Sequence, residues 1–527
     1  MGGLCRYNSI QKLSLLLYHE QKGSRAPARS RTTMGKLTDT FLQKWEELNY
    51  YNRVCTLLSW DMYTLTPAGG HPGMADAMTF FSTKAFEMST SDEFYELLKE
   101  LKESPEYEEL NEGMRFTVRT VLRDLEKDRR IPKEFYRDFV ALQSKSMRSW
   151  EEAKRSSDYS LFSKDLGELI RMTKEKCAYT DPGKEPYNVL IGLYEEGMDT
   201  DTIDRVFNQL KEGLLPMLDE ILAKPQPESR IYEGTYDADA QKKVQELLLS
   251  YIGFSFENGT VGVSEHPFTT SFSHKDVRVT NHYYEHDPIS SMFSAIHEGG
   301  HAIFDQNVDD SLEGTAAEEC PYMGLHESQS RFFENILARR KSFWVPVYDK
   351  ICQLLPDLQK ISLDEFVQEI NHVKCTPIRT QADEVTYCLH IILRYEMEQE
   401  IFRGGAKVED LPRLWNEKTL KYLHFTPEDD AHGILQDMHW SDASFGYFPS
   451  YLLGSIYDGM FLDAMQQDLG DIDVLLEKGE LGRIRGWLSE KIHRYGALRL
   501  PGEVIREVCK KPLDAEPLLR YFREKYL

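Results

Sequence analysis

The sequence predicts a mainly α-helical protein interrupted once by a small β-sheet. Three observations carry that expectation: apolar residues recur at threes and fours along most of the chain, strands do not alternate with helices and no Gly-x-Gly-x-x-Gly turn occurs, and one short stretch has period-two, β-prone residues. Phe41, Trp45, Leu48, Tyr51, Cys55 and Leu58 share one helical face, and similar spacing recurs in 160–172, 203–222, 363–373 and 384–402. The segment Lys224-Pro225-Gln226-Pro227-Glu228 reads as a turn or exposed loop within a domain. Between Val261 and Glu285 the pattern changes. Val261 and Val263 alternate with small residues, Phe268 to Phe272 is β-prone, Val277 and Val279 alternate again, and Ser273, His274 and Lys275 suit a turn. The edge of such a sheet can pair with an extended peptide backbone, and a packing hairpin fits the same pattern.

Composition narrows the function classes. With 41% hydrophobic and 12% aromatic residues in 527, the chain is in the globular range and long enough for one large domain or three ordinary ones. A net charge of −24 with no basic cluster in the body argues against nucleic acid as a partner. No run approaches 18 apolar residues, so no membrane span is expected. Eight cysteines without a CxxC pair suggest reduced thiols and a cytoplasmic enzyme. Residues 1–33 differ in kind: six Lys or Arg face one acid, Glu20, which leaves −29 on the remainder. They read as a disordered extension with some transit-peptide character, so organelle targeting stays open. Residues 34–527 are expected to form a single catalytic domain.

The motif that carries chemistry follows the β stretch. Asp287-Pro288 offers an N-cap with proline at the first helical position, and the helix it opens contains His297-Glu298-Gly299-Gly300-His301. Imidazoles at i and i+4 project from one helical face, close enough to share a cation, with Glu298 beside them to take a proton from water. Two adjacent glycines cost a helix about 2 kcal/mol relative to alanines, a local rule broken where function is expected. A catalytic zinc needs a third ligand. Glu327, in His326-Glu327-Ser328-Gln329-Ser330 after Pro321, completes a His2Glu set, but spacing leaves Glu313, Glu318, Glu319 and Glu334 equally open.

Taken in order, the motifs resemble those of the carboxypeptidase Taq family of metallocarboxypeptidases. His266-Pro267-Phe268 resembles its HPF element, Asp276 to Thr280 its DxRxT, His297 to His301 its HExxH and His326 to Gln329 its HESQ. Ile378 to Asp383 resembles IR-x-x-AD, Gly433 to Trp440 resembles GxxQDxHW, and Leu57 to Met62 resembles an N-terminal stretch of the family. The resemblance implies a large helical zinc-peptidase fold with a long substrate groove, the small sheet near the active site, and a homodimer. It implies zinc on His297, His301 and Glu327, with Glu298 as general base. The implied reaction is release of single C-terminal residues from peptides with broad specificity, poor at proline. Cobalt or manganese would suit the same ligands.

The implied chemistry calls for further residues. A tetrahedral oxyanion needs a second donor, and His439 and Tyr447 are the candidates, since similar helical zinc peptidases place a His and a Tyr in such a segment. Either residue fits a buried core role equally well. A free C-terminal carboxylate suits an arginine fork, which points to Arg379, with an i+4 salt bridge to Asp383 as the alternative. His266 and Arg278 are expected to help build the groove. Arg331, four residues after Glu327, would repel basic C-terminal residues if it reached the departing residue's pocket, and is otherwise an exposed helix arginine. The competing readings are a zinc endo-oligopeptidase and a non-catalytic peptide-binding scaffold.

Overall fold

A computed structural model describes residues 35–226 and 229–527, so the expectations for residues 1–33 and for Pro227 and Glu228 lie outside the described residues. The first helix, Lys36–Thr64, buries Phe41, Trp45, Leu48 and Cys55 along the stripe the spacing predicts and leaves Tyr51 and Leu58 half-buried, while Trp60 is buried on another face. With helices Asp92–Glu103 and Glu112–Asp128 it encloses its own apolar cluster around Phe41, Phe94, Leu98, Val118 and Leu122. A larger cluster runs from Phe116 to Phe522 and holds most of the remaining core. The other periodic segments fall in helices Ser160–Thr180, Thr200–Leu222, Leu363–Ile370 and Glu384–Gln399. Two end earlier than the spacing suggests. Asn371 closes the third by donating from its side-chain amide to the carbonyls of Val367 and Arg339, and the fourth passes into a π-helical turn at Glu400–Gly404.

The β-prone stretch forms three strands, β1 (Gly259–Val263), β2 (Thr269–Ser273) and β3 (Asp276–Asn281), in the order β1-β3-β2. β2 and β3 are the expected antiparallel hairpin, turning at His274 and Lys275, while β1 runs parallel to β3. Phe268, just before β2, meets the rings of Trp60 and Tyr63, which ties the end of the first helix to the sheet.

Helix Pro288–Gln306 lies across β2 and β3 and packs on helix Met323–Arg331, which in turn crosses helix Phe448–Leu469. The last of these is buried along nearly its whole length, as an all-round apolar helix should be. Its Gly454 lets the crossing close up: a Cβ there would stand 3.0 Å from the carbonyl oxygen of Gly324 and 3.1 Å from the amide of Ser328. The short Met323–Arg331 helix is thereby pressed from both sides. No described helix is long and apolar enough to cross a membrane.

Candidate active site

Helix Pro288–Gln306 begins as the sequence suggests: Asp287 caps it by accepting from the amide of Ser290 at 3.0 Å, and Pro288 occupies the first turn. His297 and His301 then share one face. The adjacent glycines admit neighbours. A Cβ on Gly300 would lie 2.7 Å from the carbonyl oxygen of Gln329 and from Cα of Ser330, so glycine is what allows the Met323–Arg331 helix to approach. That approach delivers Glu327. One ligand atom from each of His297, His301 and Glu327 falls within 4.8 Å of the others, the only such His/Cys/Asp/Glu group found among the described residues. Both Nε2 atoms face Glu327 Oε2, at 3.8 Å from His297 and 3.5 Å from His301. Two imidazole nitrogens and a carboxylate oxygen converging in this way fit a divalent metal.

Behind His297 and Glu327 stand charged partners. His297 Nδ1 is 2.7 Å from Glu334 Oε2, and Arg331 Nε donates to Glu327 Oε1 at 2.8 Å. Burial pulls the His297 pKa down, but Glu334, Glu327 and Glu298 outweigh it and raise it to about 9. At His301 burial prevails, helped by the neighbouring histidines, and the pKa falls to about 4. Glu327 would be pushed up by burial, yet Arg331 and the two histidines hold it well below the usual carboxylate range. Glu298 is buried beside them, and Thr269 of β2 sets its carboxylate: Thr269 Oγ1 is 2.6 Å from Glu298 Oε2 and 2.9 Å from its carbonyl oxygen.

A carboxypeptidase Taq (M32) metallopeptidase family model matches residues 40–526. The chain belongs to the M32 family. It is 39% identical over 488 residues to Carboxypeptidase 1 of Bacillus subtilis, covering 92% of this chain and 97% of that protein. Thermostable carboxypeptidase 1 of Pyrococcus furiosus is 34% identical, with the same coverage of both chains. The crystal structure of the M32 carboxypeptidase from Deinococcus radiodurans R1 superposes with a TM-score of 0.89 at 29% identity, over 93% of this chain and 99% of that one. The molecule is therefore a mainly helical metallocarboxypeptidase, a hydrolase acting on peptides.

Other sequence-derived candidates fall around a second centre in this M32 enzyme. Arg379 is buried, but its partner is not Asp383. It donates through Nε and Nη2 to Asp437 Oδ1, at 3.1 and 2.8 Å, and through Nη1 to the Tyr387 hydroxyl at 3.0 Å. Asp383 is occupied in capping helix Glu384–Gln399, accepting from the amides of Val385 and Thr386. Asp437 also takes Arg394 Nε at 2.7 Å, and the two guanidiniums hold its pKa far below normal although burial alone would raise it. Arg331 is corrected in the same way. It is neither an exposed helix arginine nor a bare wall of a side-chain pocket, because its guanidinium serves Glu327 and lies 3.9 Å from the centre of the Tyr387 ring. A path of contacts thus runs from Glu327 through Arg331 and Tyr387 to Arg379.

His439 is buried, with Nε2 3.3 Å from the Tyr451 hydroxyl, and burial drives its pKa to about 3. Tyr447 sits in an aromatic cluster, its ring centre 4.9 Å from Tyr194 and 5.4 Å from His439, against Met323 at the start of the Glu327 helix. Arg278 is committed to Asp276 on its own strand by two 2.8 Å hydrogen bonds, and His266 is exposed just before β2. The sequence left Glu334 open only as an alternative third ligand and gave no role to Asp305, His326, Tyr387 or Asp437. Two signals were available: Asp305 follows His301 by four residues, and Asp437 lies in the same motif as His439.

Proposed function

We propose that this enzyme releases single residues from peptide C-termini with broad tolerance for the side chain. In this reading Zn2+ is its metal, held by His297, His301 and Glu327, and Glu298 is its general base. The observation that carries it is the convergence of three ligand atoms within 4.8 Å with the buried Glu298 carboxylate next to His297 on the same helix. The His2Glu donor set suits Zn2+, with Co2+ or Mn2+ as substitutes. A bound metal supplies a Lewis acid for the scissile carbonyl and makes its water a stronger acid. Glu298 takes the proton of the attacking water and passes it to the leaving amine, while Thr269 keeps the carboxylate turned to the site. Arg379 receives the substrate's terminal carboxylate. Three of its five N–H groups are engaged with Asp437 and Tyr387, which leaves donors for a fork on a carboxylate. His439, kept neutral by burial, and Tyr447 donate to the oxyanion, and His266 and Arg278 border the groove. Residues 34–527 act as one catalytic domain, as a homodimer in the cytoplasm.

The test uses the purified protein and its Glu298→Gln variant on N-terminally blocked peptides with free and amidated C-termini, following products by mass spectrometry. Stepwise, metal-dependent loss of single C-terminal residues, absent from the variant and from amidated peptides, is expected. Internal cleavage that ignores amidation would make the enzyme an endo-oligopeptidase.

A further inference from the structure

The two ligand histidines are backed by different chemistry. Behind His297 stands a carboxylate, Glu334, the usual arrangement for a metal-binding imidazole. Behind His301 stands another imidazole: its Nδ1 lies 2.6 Å from Nδ1 of His326. The far nitrogen of His326, Nε2, is 2.9 Å from Asp305 Oδ1, and both His326 and Asp305 are buried. The His326 ring is wedged between His301 and Phe304, with ring centres at 4.7 and 5.0 Å, which fixes its plane.

Two facing Nδ1 atoms share one proton, and its position decides whether His301 can bind a cation. If His326 donated, His301 would carry its proton on Nε2, the atom that faces Glu327 Oε2, and would have no lone pair there for a metal. If His326 accepts, His301 is Nδ1-protonated and Nε2 is bare. Asp305 selects between them. Its carboxylate accepts a hydrogen bond from His326 Nε2–H, so a neutral His326 has only a lone pair left at Nδ1.

We propose that His326 is a positioning residue: oriented by Asp305, it accepts from His301 Nδ1–H and holds His301 in the metal-binding tautomer. The inference rests on the reading of His301 as a ligand. Asp305 and His301 sit one turn apart on the same helix, and His326 comes from the facing helix beside Glu327. The relay therefore also ties the two ligand-bearing helices together.

The test measures Zn2+ affinity of the metal-stripped full-length protein by competition with a chromogenic chelator. The variants are His326→Phe, His326→Gln, Asp305→Ala and His301→Ala, with apoprotein melting temperature followed alongside. His326→Phe removes the acceptor and is expected to lose about 10- to 100-fold in affinity. His326→Gln can still accept through its amide oxygen and is expected to stay within about threefold of wild type, while Asp305→Ala falls between the two. In 15N spectra of histidine-labelled protein, His301 should carry its proton on Nδ1 in wild type and His326→Gln. Wild-type affinity in His326→Phe would overturn the proposal. Should that variant fail to fold, a His326→Gln loss as large as that of His301→Ala would overturn it equally. Unchanged affinity in His301→Ala would instead remove the ligand assignment on which the proposal rests.

Discussion

A single methyl group at position 300 probes how closely the helices carrying His301 and Glu327 meet. Replacing glycine by alanine inside a helix ordinarily gains about 1 kcal/mol. Here the new Cβ would stand 2.7 Å from backbone atoms of Gln329 and Ser330, which cannot turn aside as a side-chain tip can. Gly300→Ala is therefore expected to cost about 1–3 kcal/mol, seen as a lowered melting temperature, because the overlap outweighs the helix gain. A melting temperature at or above wild type would mean that the two helices part freely. Arg379 is a second sharp position. Arg379→Lys keeps a positive charge but loses the planar fork, and Asp437 keeps Arg394 as a partner. The KM for peptides with free C-termini is expected to rise at least tenfold, about 1.4 kcal/mol of recognition. An unchanged KM would move carboxylate recognition elsewhere.

At the scale of elements, β2 contributes a hydroxyl as well as an edge, since Thr269 reaches the Glu298 side chain and main chain across the strand–helix interface. Thr269→Val removes that tether and little else, so kcat is expected to fall about tenfold with KM unchanged, the signature of lost alignment of a base rather than lost binding. Steady-state kinetics on one blocked peptide decides it; a change in KM alone would place Thr269 in substrate binding. The same interface shows what a sequence can tell. Asp287, Pro288 and the two histidines were legible because caps and i,i+4 spacing are local, and so was the β2–β3 hairpin with its turn. The glycines were legible as an anomaly, but their reasons, a facing backbone at Gly300 and the Ile252 and Leu249 side chains at Gly299, belong to tertiary packing. Glu327 could not be told from Glu334 by spacing, since both lie near the ligands and only the fold assigns one to the cluster and the other to His297 Nδ1. Asp437, the partner of Arg379 in place of the alternative Asp383, is 58 residues away along the chain, beyond any periodicity.

Over the whole molecule, three core histidines connect packing to pH. His493 lies between Phe304 and Gln329, with Nε2 2.8 Å from Gln329 Oε1 and a buried Nδ1 that has no hydrogen-bond partner. His439 likewise leaves Nδ1 without a partner, and His390 sets Nε2 against the Thr376 carbonyl at 3.1 Å while its Nδ1 faces Arg394. None of the three has an acceptor waiting for a second proton. Burial first, then Arg394 and Arg379 around His390 and His439 and His326 near His493, drive each pKa to about 3, despite Asp437 and Asp305 nearby. An unfolded chain protonates such histidines near pH 6.5. Between about pH 6.5 and about pH 3 the unfolded state therefore binds more protons than the folded one, and stability falls as pH falls. Each histidine contributes a slope of about 1.4 kcal/mol per pH unit in the middle of that window and nothing above it. His493→Gln can keep the donor to Gln329 and has nothing to titrate. In chelator-treated protein, its denaturant-derived stability is expected to decline less steeply between pH 6 and pH 4 than wild type, by about one proton's share. Parallel profiles would mean that His493 is protonated in the folded core. Metal-free protein is the right material, since His297 and His301 titrate as well, and their contribution cancels in the difference between the two profiles.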